Sequence, residues 1–236
     1  MSGRPRPCTR PSRRSTSRPH PRRDHLRTGG AEGAIRKARD ERLLAKPITS
    51  ELGGVAPTIV VPGPRKKADF GFQAEHVATQ KLHNNGFNCI ASQVLVLPAQ
   101  WDDASLFTDA VRQALSAAPP RPGHYPGSDD RRAAAIAGYP GAENLGGSLT
   151  LIVDVDPNDA EAYAFHEEFF APVEATTRLP GRDAADFLRH AVQFANETLN
   201  GTLGANIIVH PKTADTLGPV LDEGIAALRP RDHPLR

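Results

Sequence analysis

Cysteine is nearly missing from this 236-residue chain, which has only Cys8 and Cys89. Two thiols so far apart cannot build a disulfide framework, and their scarcity fits a reducing compartment, so the expected location is the cytoplasm. Long hydrophobic runs are missing too: none approaches the ~20 residues that a bilayer-spanning helix requires. The first thirty residues lack the apolar centre of a secretory signal. The nine histidines have no ligand spacing and "HEE" at 166–168 is not His-Glu-x-x-His, so no metal site is expected. A Gly-x-Ser-x-Gly elbow is absent, which removes the usual serine hydrolase signature.

Acid and lysine are scarce in one place only. Residues 1–30 hold nine arginines, no lysine and the single acid Asp24, a net charge of +8, while the other 206 residues hold 20 basic and 26 acidic side chains, a net of −6. The head is rich in Arg, Pro and Ser and has almost nothing to bury, so it is expected to be disordered. It reads as a basic arm, as a transit peptide, or as a non-native beginning from a wrong start or a shifted frame. No aromatic residue is interleaved for stacking, and five prolines oppose an amphipathic helix, which favours the third reading. The acidic remainder gives no reason to expect a nucleic-acid partner.

From about residue 31 the texture alternates between helical and strand periodicity. Residues 31–44 read as a charged helix and 57–61 as a strand buried on both faces. Phe70, Ala74, Val77, Ala78 and Leu82 recur at helical spacing. A strand near 92–97 is followed by a helix opening at Asp102 and Asp103. Residues 118–147 read as a long connection with one short helix near Asp130–Ala137. A strand at 148–155, an extended stretch at 161–180, a helix at 182–199, a strand at 204–211 and a last amphipathic helix at 213–228 complete the pattern. Strands separated by helices predict an α/β fold with a mostly parallel sheet flanked by helices. The expected organisation is a disordered segment 1–30, one domain over 31–228 and a patternless tail 229–236.

Two places could carry chemistry. In "ITSELGGVAPTIVV" a carboxylate, Glu51, precedes Gly53 and Gly54 at the mouth of a buried strand. Glycines there allow a tight turn or a close approach to a ligand. The alternative is an ordinary solvated loop glutamate. Cys89, in "HNNGFNCIASQVLVL", falls between a helix end that Gly86 is expected to cap and the start of a strand. A loop thiol near backbone N–H groups can form a usable thiolate; a free cysteine can equally well just pack.

Taken together the two places resemble the aldehyde dehydrogenase superfamily. Glu51-Leu52-Gly53-Gly54-Val55-Ala56-Pro57 looks like its Glu-Leu-Gly-Gly-x-x-Pro stretch. Asn84-Asn85-Gly86-Phe87-Asn88-Cys89 looks like its Asn-x-Gly-x-x-Cys. "HEEFFAPV", from His166 to Val173, is similar to its Glu-Glu-x-Phe-Gly-Pro-Val, and "ANETLNGTLGANI" to its Asn-x-x-x-x-Gly-Leu helix end. The resemblance implies a catalytic domain in which Cys89 is the nucleophile and Glu51 the general base. It also implies Glu168 at the nicotinamide ribose, Phe170 beside the nicotinamide, and Leu52 and Gly53 near the cofactor ring. The implied reaction oxidises a small-molecule aldehyde to a carboxylic acid with NAD or NADP, through a cysteine thiohemiacetal and thioester. Phe87, Val55 and Ala171 depart from the family pattern and leave the substrate open.

The match covers roughly residues 31–228 and implies a truncated enzyme. Its N-terminal cofactor domain and its C-terminal oligomerising segment have no counterpart, although the family forms homo-oligomers. The alternative is an inactive remnant that binds no cofactor by itself and serves at most as a binding partner.

Overall fold

The structure is a computed structural model that describes residues 31–32, 35–36, 39, 41, 54–159, 161–201 and 203–228. Segments 1–30 and 229–236 therefore lie outside the described residues. The chain divides into two compact units, Met1–Ser50 and Glu51–Arg236. In the first, Ala31, Glu32, Ile35 and Arg36 are helical, and the Arg36 guanidinium pairs with Glu32 one turn earlier at 2.9 Å.

The second unit is built on one sheet. Its strands are β1 (Ala56–Val60), β2 (Ser92–Pro98), β3 (Glu143–Leu145), β4 (Leu149–Val155), β5 (Val173–Leu179) and β6 (Asn206–Ile208). They lie in the order β3-β4-β5-β2-β1-β6. Every pairing is parallel except that of the edge strand β3 with β4. The helices are α1 (Lys67–Leu82), α2 (Ala104–Ala117), α3 (Ser128–Gly138), the single turn α4 (Tyr163–His166), α5 (Ala184–Glu197), α6 (Pro211–Leu217) and α7 (Pro219–Ala227).

Both faces of the sheet are covered, which is why its central strands read as unbroken apolar runs. Val94 and Val96 of β2 join the cluster that holds Phe187, Leu188 and Ala191 of α5. Leu95 and Leu97 point the other way, into the cluster with Phe70 and Val77 of α1 and Phe107 and Val111 of α2. The period-two alternation of a strand thus feeds two separate cores.

Three expectations need correction. The stretch 161–180 is not extended throughout. Tyr163–His166 makes one helical turn that buries Ala164 and Phe165, and the strand begins only at Val173. The last helix is two helices, because the chain turns at Gly218 (φ +50°) and Pro219 opens the second. A proline lacks the N–H that a continuous helix would need, whereas a first helical position has no use for it. The connection 118–147 contains, besides its short helix, the antiparallel strand β3.

One buried layer is polar. The β1–β2 register shifts between Ala56 and Pro57, whose partners are Ser92 and Val94, so β2 carries one extra residue there. Such a bulge breaks the strict alternation of faces. Ser92 reaches the α1 side with Thr58 of β1 and Glu174 of β5, all three fully buried. Thr58 Oγ1 lies 2.9 Å from Ser92 Oγ and 3.1 Å from Gln80 Oε1, and Ser92 donates to Glu174 Oε1 at 2.8 Å. Lys81 of α1, 1% exposed, completes the layer.

Burial pushes the Glu174 carboxyl up to about 7, opposed by the Lys81 charge and the Ser92 hydrogen bond. Burial likewise pulls the Lys81 ammonium down to about 8, opposed by Glu174 and then Glu168. From the ordinary carboxylate value up to about 7, folded Glu174 keeps a proton that the unfolded chain has released, so its contribution to stability falls as pH rises. From about 8 up to the ordinary lysine value the unfolded chain holds a proton that folded Lys81 lacks, and stability rises with pH. Urea midpoints across the pH range are therefore expected to show a minimum between the two values, absent in Lys81→Met/Glu174→Met. Separately, Phe107→Ala should cost about 3–5 kcal/mol in the same assay, because Phe107 is fully buried in the α1–α2 cluster.

Candidate active site

Strands β5, β2, β1 and β6 are neighbours that run in one direction. The segments entering them must then arrive at a single edge of the sheet. These are 164–172 before β5, 83–91 before β2, 54–55 before β1 and 198–205 before β6. Each belongs to one of the four motifs of the sequence. They lie at the amino ends of the strands, opposite to the carboxyl-end crevice usual in open α/β sheets.

The segments touch through backbone. At Gly86, with φ +81°, a Cβ would come within 2.3 Å of the Ala171 carbonyl oxygen. At Gly54 it would come within 1.2 Å of the Gly201 carbonyl oxygen. No other residue allows either approach. The Val55 N–H donates to the Asn200 carbonyl at 3.0 Å, and the Asn200 N–H donates to the Phe165 carbonyl at 2.9 Å. Asn200 Nδ2 donates to the His166 carbonyl at 2.9 Å.

Two long side chains fix the 164–172 segment. Gln93, the residue after Ser92 at the bulge, donates through Nε2 to the carbonyls of Ala164 (3.0 Å) and Glu167 (2.8 Å). Its Oε1 accepts the Phe169 N–H at 2.8 Å. From α3 the Arg131 guanidinium donates to the carbonyls of Phe169 and Phe170, the latter at 3.1 Å. Phe170 has φ +41°, a strained conformation for a bulky residue that persists only when its surroundings impose it.

Cys89 is exposed. It stands at the tip of a turn closed by the Ala91 N–H donating to the Asn88 carbonyl at 3.1 Å, with Asn88 Nδ2 3.1 Å from His83 Nδ1. Ile90, next to it, is also exposed, and a Cβ on Gly204 would lie 3.4 Å from its Cγ2. Gly86 does not cap α1 directly. The helix ends at Leu82, and the chain reverses through Asn85 (φ +51°) and Gly86. Glu168 is buried, and its charge reaches Lys81. The half-buried Phe170 ring packs edge-on to Tyr125 at 4.7 Å and lies 5.7 Å from Phe87, itself 4.5 Å from His124. Glu51, Leu52 and Gly53 lie outside the described residues.

Sequence reasoning missed Gln93, Arg131, Lys81 and Glu174. Lys81 did leave a signal: it falls at the helical spacing of Phe70, Ala74, Val77 and Ala78, where an apolar residue belongs, and it rather than Leu82 is the fully buried one. Glu174 left none, because its strand, VEATTRL, also carries Thr176, Thr177 and Arg178. Gln93 and Arg131 act on carbonyls of a loop, which no periodicity announces.

Gly86→Ala is expected to destabilise the domain by about 2 kcal/mol or more in chemical denaturation, through both its φ and the Ala171 carbonyl. Gly71 in α1 has nothing within 4 Å of a built Cβ. Gly71→Ala should instead stabilise by about 0.5–1 kcal/mol.

No protein-family model matches the chain, and no curated protein matches its sequence. Solved structures do match in fold. The NADP-dependent glyceraldehyde-3-phosphate dehydrogenase from Bacillus halodurans, complexed with NADP, superposes with a TM-score of 0.59 at 20% identity over 79% of this chain and 40% of that one. Lactaldehyde dehydrogenase from Escherichia coli gives 0.58 at 20% identity, over 75% of this chain and 38% of that one. Aldehyde dehydrogenase C from Pseudomonas syringae, complexed with NAD+ and octanal, gives 0.60 at 20% identity, over 80% and 41%. This chain thus spans about two-fifths of the length of the structures it resembles. Over that span, the six-stranded, mostly parallel sheet and its flanking helices have the aldehyde dehydrogenase fold.

Proposed function

We propose that this chain carries the catalytic centre of an NAD(P)-dependent aldehyde dehydrogenase, with Cys89 as nucleophile and Glu51 as general base. The observation that carries the reading is the meeting of four motif segments at one sheet edge, with an exposed cysteine at the tip of the 83–91 loop. A surface thiol on a turn can reach an aldehyde in solution. Its thiolate attacks the carbonyl carbon, forming a C–S bond and a thiohemiacetal oxyanion. Bound oxidised nicotinamide supplies a hydride acceptor, so that loss of hydride from that carbon leaves a thioester on Cys89. Glu51 then takes a proton from water, whose oxygen attacks the thioester. The C–S bond breaks, and the carboxylic acid leaves with the thiol restored.

Of the residues that the resemblance assigns to the nicotinamide end of the dinucleotide, the partly exposed Phe170 ring, held by Arg131 on its carbonyl, offers an apolar face to a flat ring, whereas both carboxylate oxygens of Glu168 are buried here and would meet ribose hydroxyls only after that segment moved. The resemblance assigns Leu52 and Gly53 to the neighbourhood of the cofactor ring; among the described residues further along, Val55 and Ala56 are buried.

Purified chain incubated with an aldehyde series and NAD or NADP should reduce the cofactor, and Cys89→Ala should abolish this. Glu51→Gln is expected to slow turnover by about 10²–10⁴-fold and to let acyl-Cys89 accumulate in intact mass spectra. Equal rates for the parent chain and Cys89→Ala would overturn the assignment of the nucleophile. The other reading, a remnant that does not bind the cofactor by itself, predicts no saturable NAD or NADP binding by fluorescence titration. It still allows Cys89-dependent cleavage of an activated ester, which needs no hydride acceptor.

A further inference from the structure

The loop that carries Cys89 has its two ends tied together from below. Gln80 lies in the last turn of α1 and Ser92 is the first residue of β2, so residues 81–91 form the span between them. Thr58 of β1 stands between these ends, 3.1 Å from Gln80 Oε1 and 2.9 Å from Ser92 Oγ. Ser92 passes the chain of hydrogen bonds on to Glu174 Oε1 at 2.8 Å. Glu174 is fully buried, and its second oxygen, Oε2, has no hydrogen-bond partner. Lys81, in the last turn of α1 just before the loop, is the charge that answers it.

We propose that Gln80, Thr58, Ser92 and Glu174, with Lys81 beside them, form a positioning device that staples the Cys89 loop and couples the thiol's reactivity to a buried charge pair. The inference rests on the reading of Cys89 as a nucleophile and adds to it residues that do not touch the substrate. Thr58 has one proton for two neighbours. When Glu174 is ionised, Ser92 donates to it and takes the Thr58 proton. When Glu174 is protonated it can donate back, which frees Ser92 to donate to Thr58 and Thr58 to donate to Gln80. The polarity of the staple therefore follows the charge of Glu174. Retaining a buried charge pair where apolar residues would pack as well has a cost in stability, and a function in the loop above gives that cost a reason.

The charged and titratable groups facing the pair are Lys81 at Glu174, Glu174 and Glu168 at Lys81, and His83 at the base of the Cys89 turn. As pH rises through neutrality, first Glu174 and then Lys81 lose a proton, and the net charge of the pair changes from positive to negative. A positive charge below the loop favours a thiolate and a negative one opposes it.

The test is alkylation of Cys89 by iodoacetamide in the full chain carrying Cys8→Ser, from about pH 6 to about pH 9, without aldehyde or cofactor. The expected parent profile rises with a slope below that of one ionisation. Lys81→Met/Glu174→Met is expected to restore the full slope. Thr58→Val keeps the pair but cuts the staple, and should change the high-pH rate by roughly threefold or more, with Thr58→Ser returning it. If the double variant does not fold, Lys81→Gln/Glu174→Gln serves in its place with the same expectation. A parent profile that superimposes on the neutral variant, or a Thr58→Val rate equal to the parent's in a folded protein, would overturn the proposal. Neither readout requires dehydrogenase activity. A chain that meets these expectations but oxidises no aldehyde keeps the staple and loses the dehydrogenase reading.

Discussion

Direction is the constraint on which the rest depends. With β5, β2, β1 and β6 side by side and parallel, each must be entered from the same edge. Parallel neighbours need long crossovers, supplied here by α1, by the α2-to-α4 region and by α5. Segments far apart in sequence thereby become neighbours in space. Once they are neighbours, the glycines decide how close they come. Gly54 against Gly201 and Gly86 against Ala171 replace side-chain packing with backbone contact, so the entry segments form one continuous rim.

A rim made of loops would be loose if only its glycines held it. The first two residues of β2 solve this, because ordinary strand alternation sends them to opposite sides of the sheet. Ser92 joins the polar layer under α1, and Gln93 takes hold of three backbone groups of the 164–169 segment. Of two adjacent side chains of one strand, Ser92 thus ties β2 to β1 and β5 and Gln93 anchors a loop of the candidate site. Arg131 adds a hold from outside the sheet, on the carbonyls around the strained Phe170. Strain at Phe170 is tolerable because those bonds would be lost if its backbone relaxed.

Much of the fold was legible because its strongest signals are periodic. The apolar runs of β1, β2 and β4, and the Phe187, Leu188, Ala191, Val192 and Ala195 stripe of α5, state burial directly. What was illegible is local or nonperiodic. The α4 turn is four residues long, β3 three, and the break at Gly218 hides inside an amphipathic pattern that continues on either side. For the candidate site, motif types and order gave Cys89, Glu168 and Phe170 as residues of interest. The groups that hold them escaped notice, because Gln93 and Arg131 serve carbonyl oxygens and their own sequence context is unremarkable.

The polar layer marks where this chain departs from an ordinary two-core α/β sheet. Lys81 occupies a position where helical periodicity calls for hydrocarbon, and both it and Glu174 are fully enclosed. Desolvation drives each toward neutrality; their mutual attraction opposes it, with the Ser92 hydroxyl at Glu174 and the Glu168 charge at Lys81. A pair balanced in this way sits near the point where either charged or neutral forms can be held. Placed elsewhere in the core, such a balance would only weaken the fold. Here it adjoins both ends of the loop that bears the exposed Cys89 thiol, so the buried Lys81 and a solvent-accessible sulfur share one short stretch of chain.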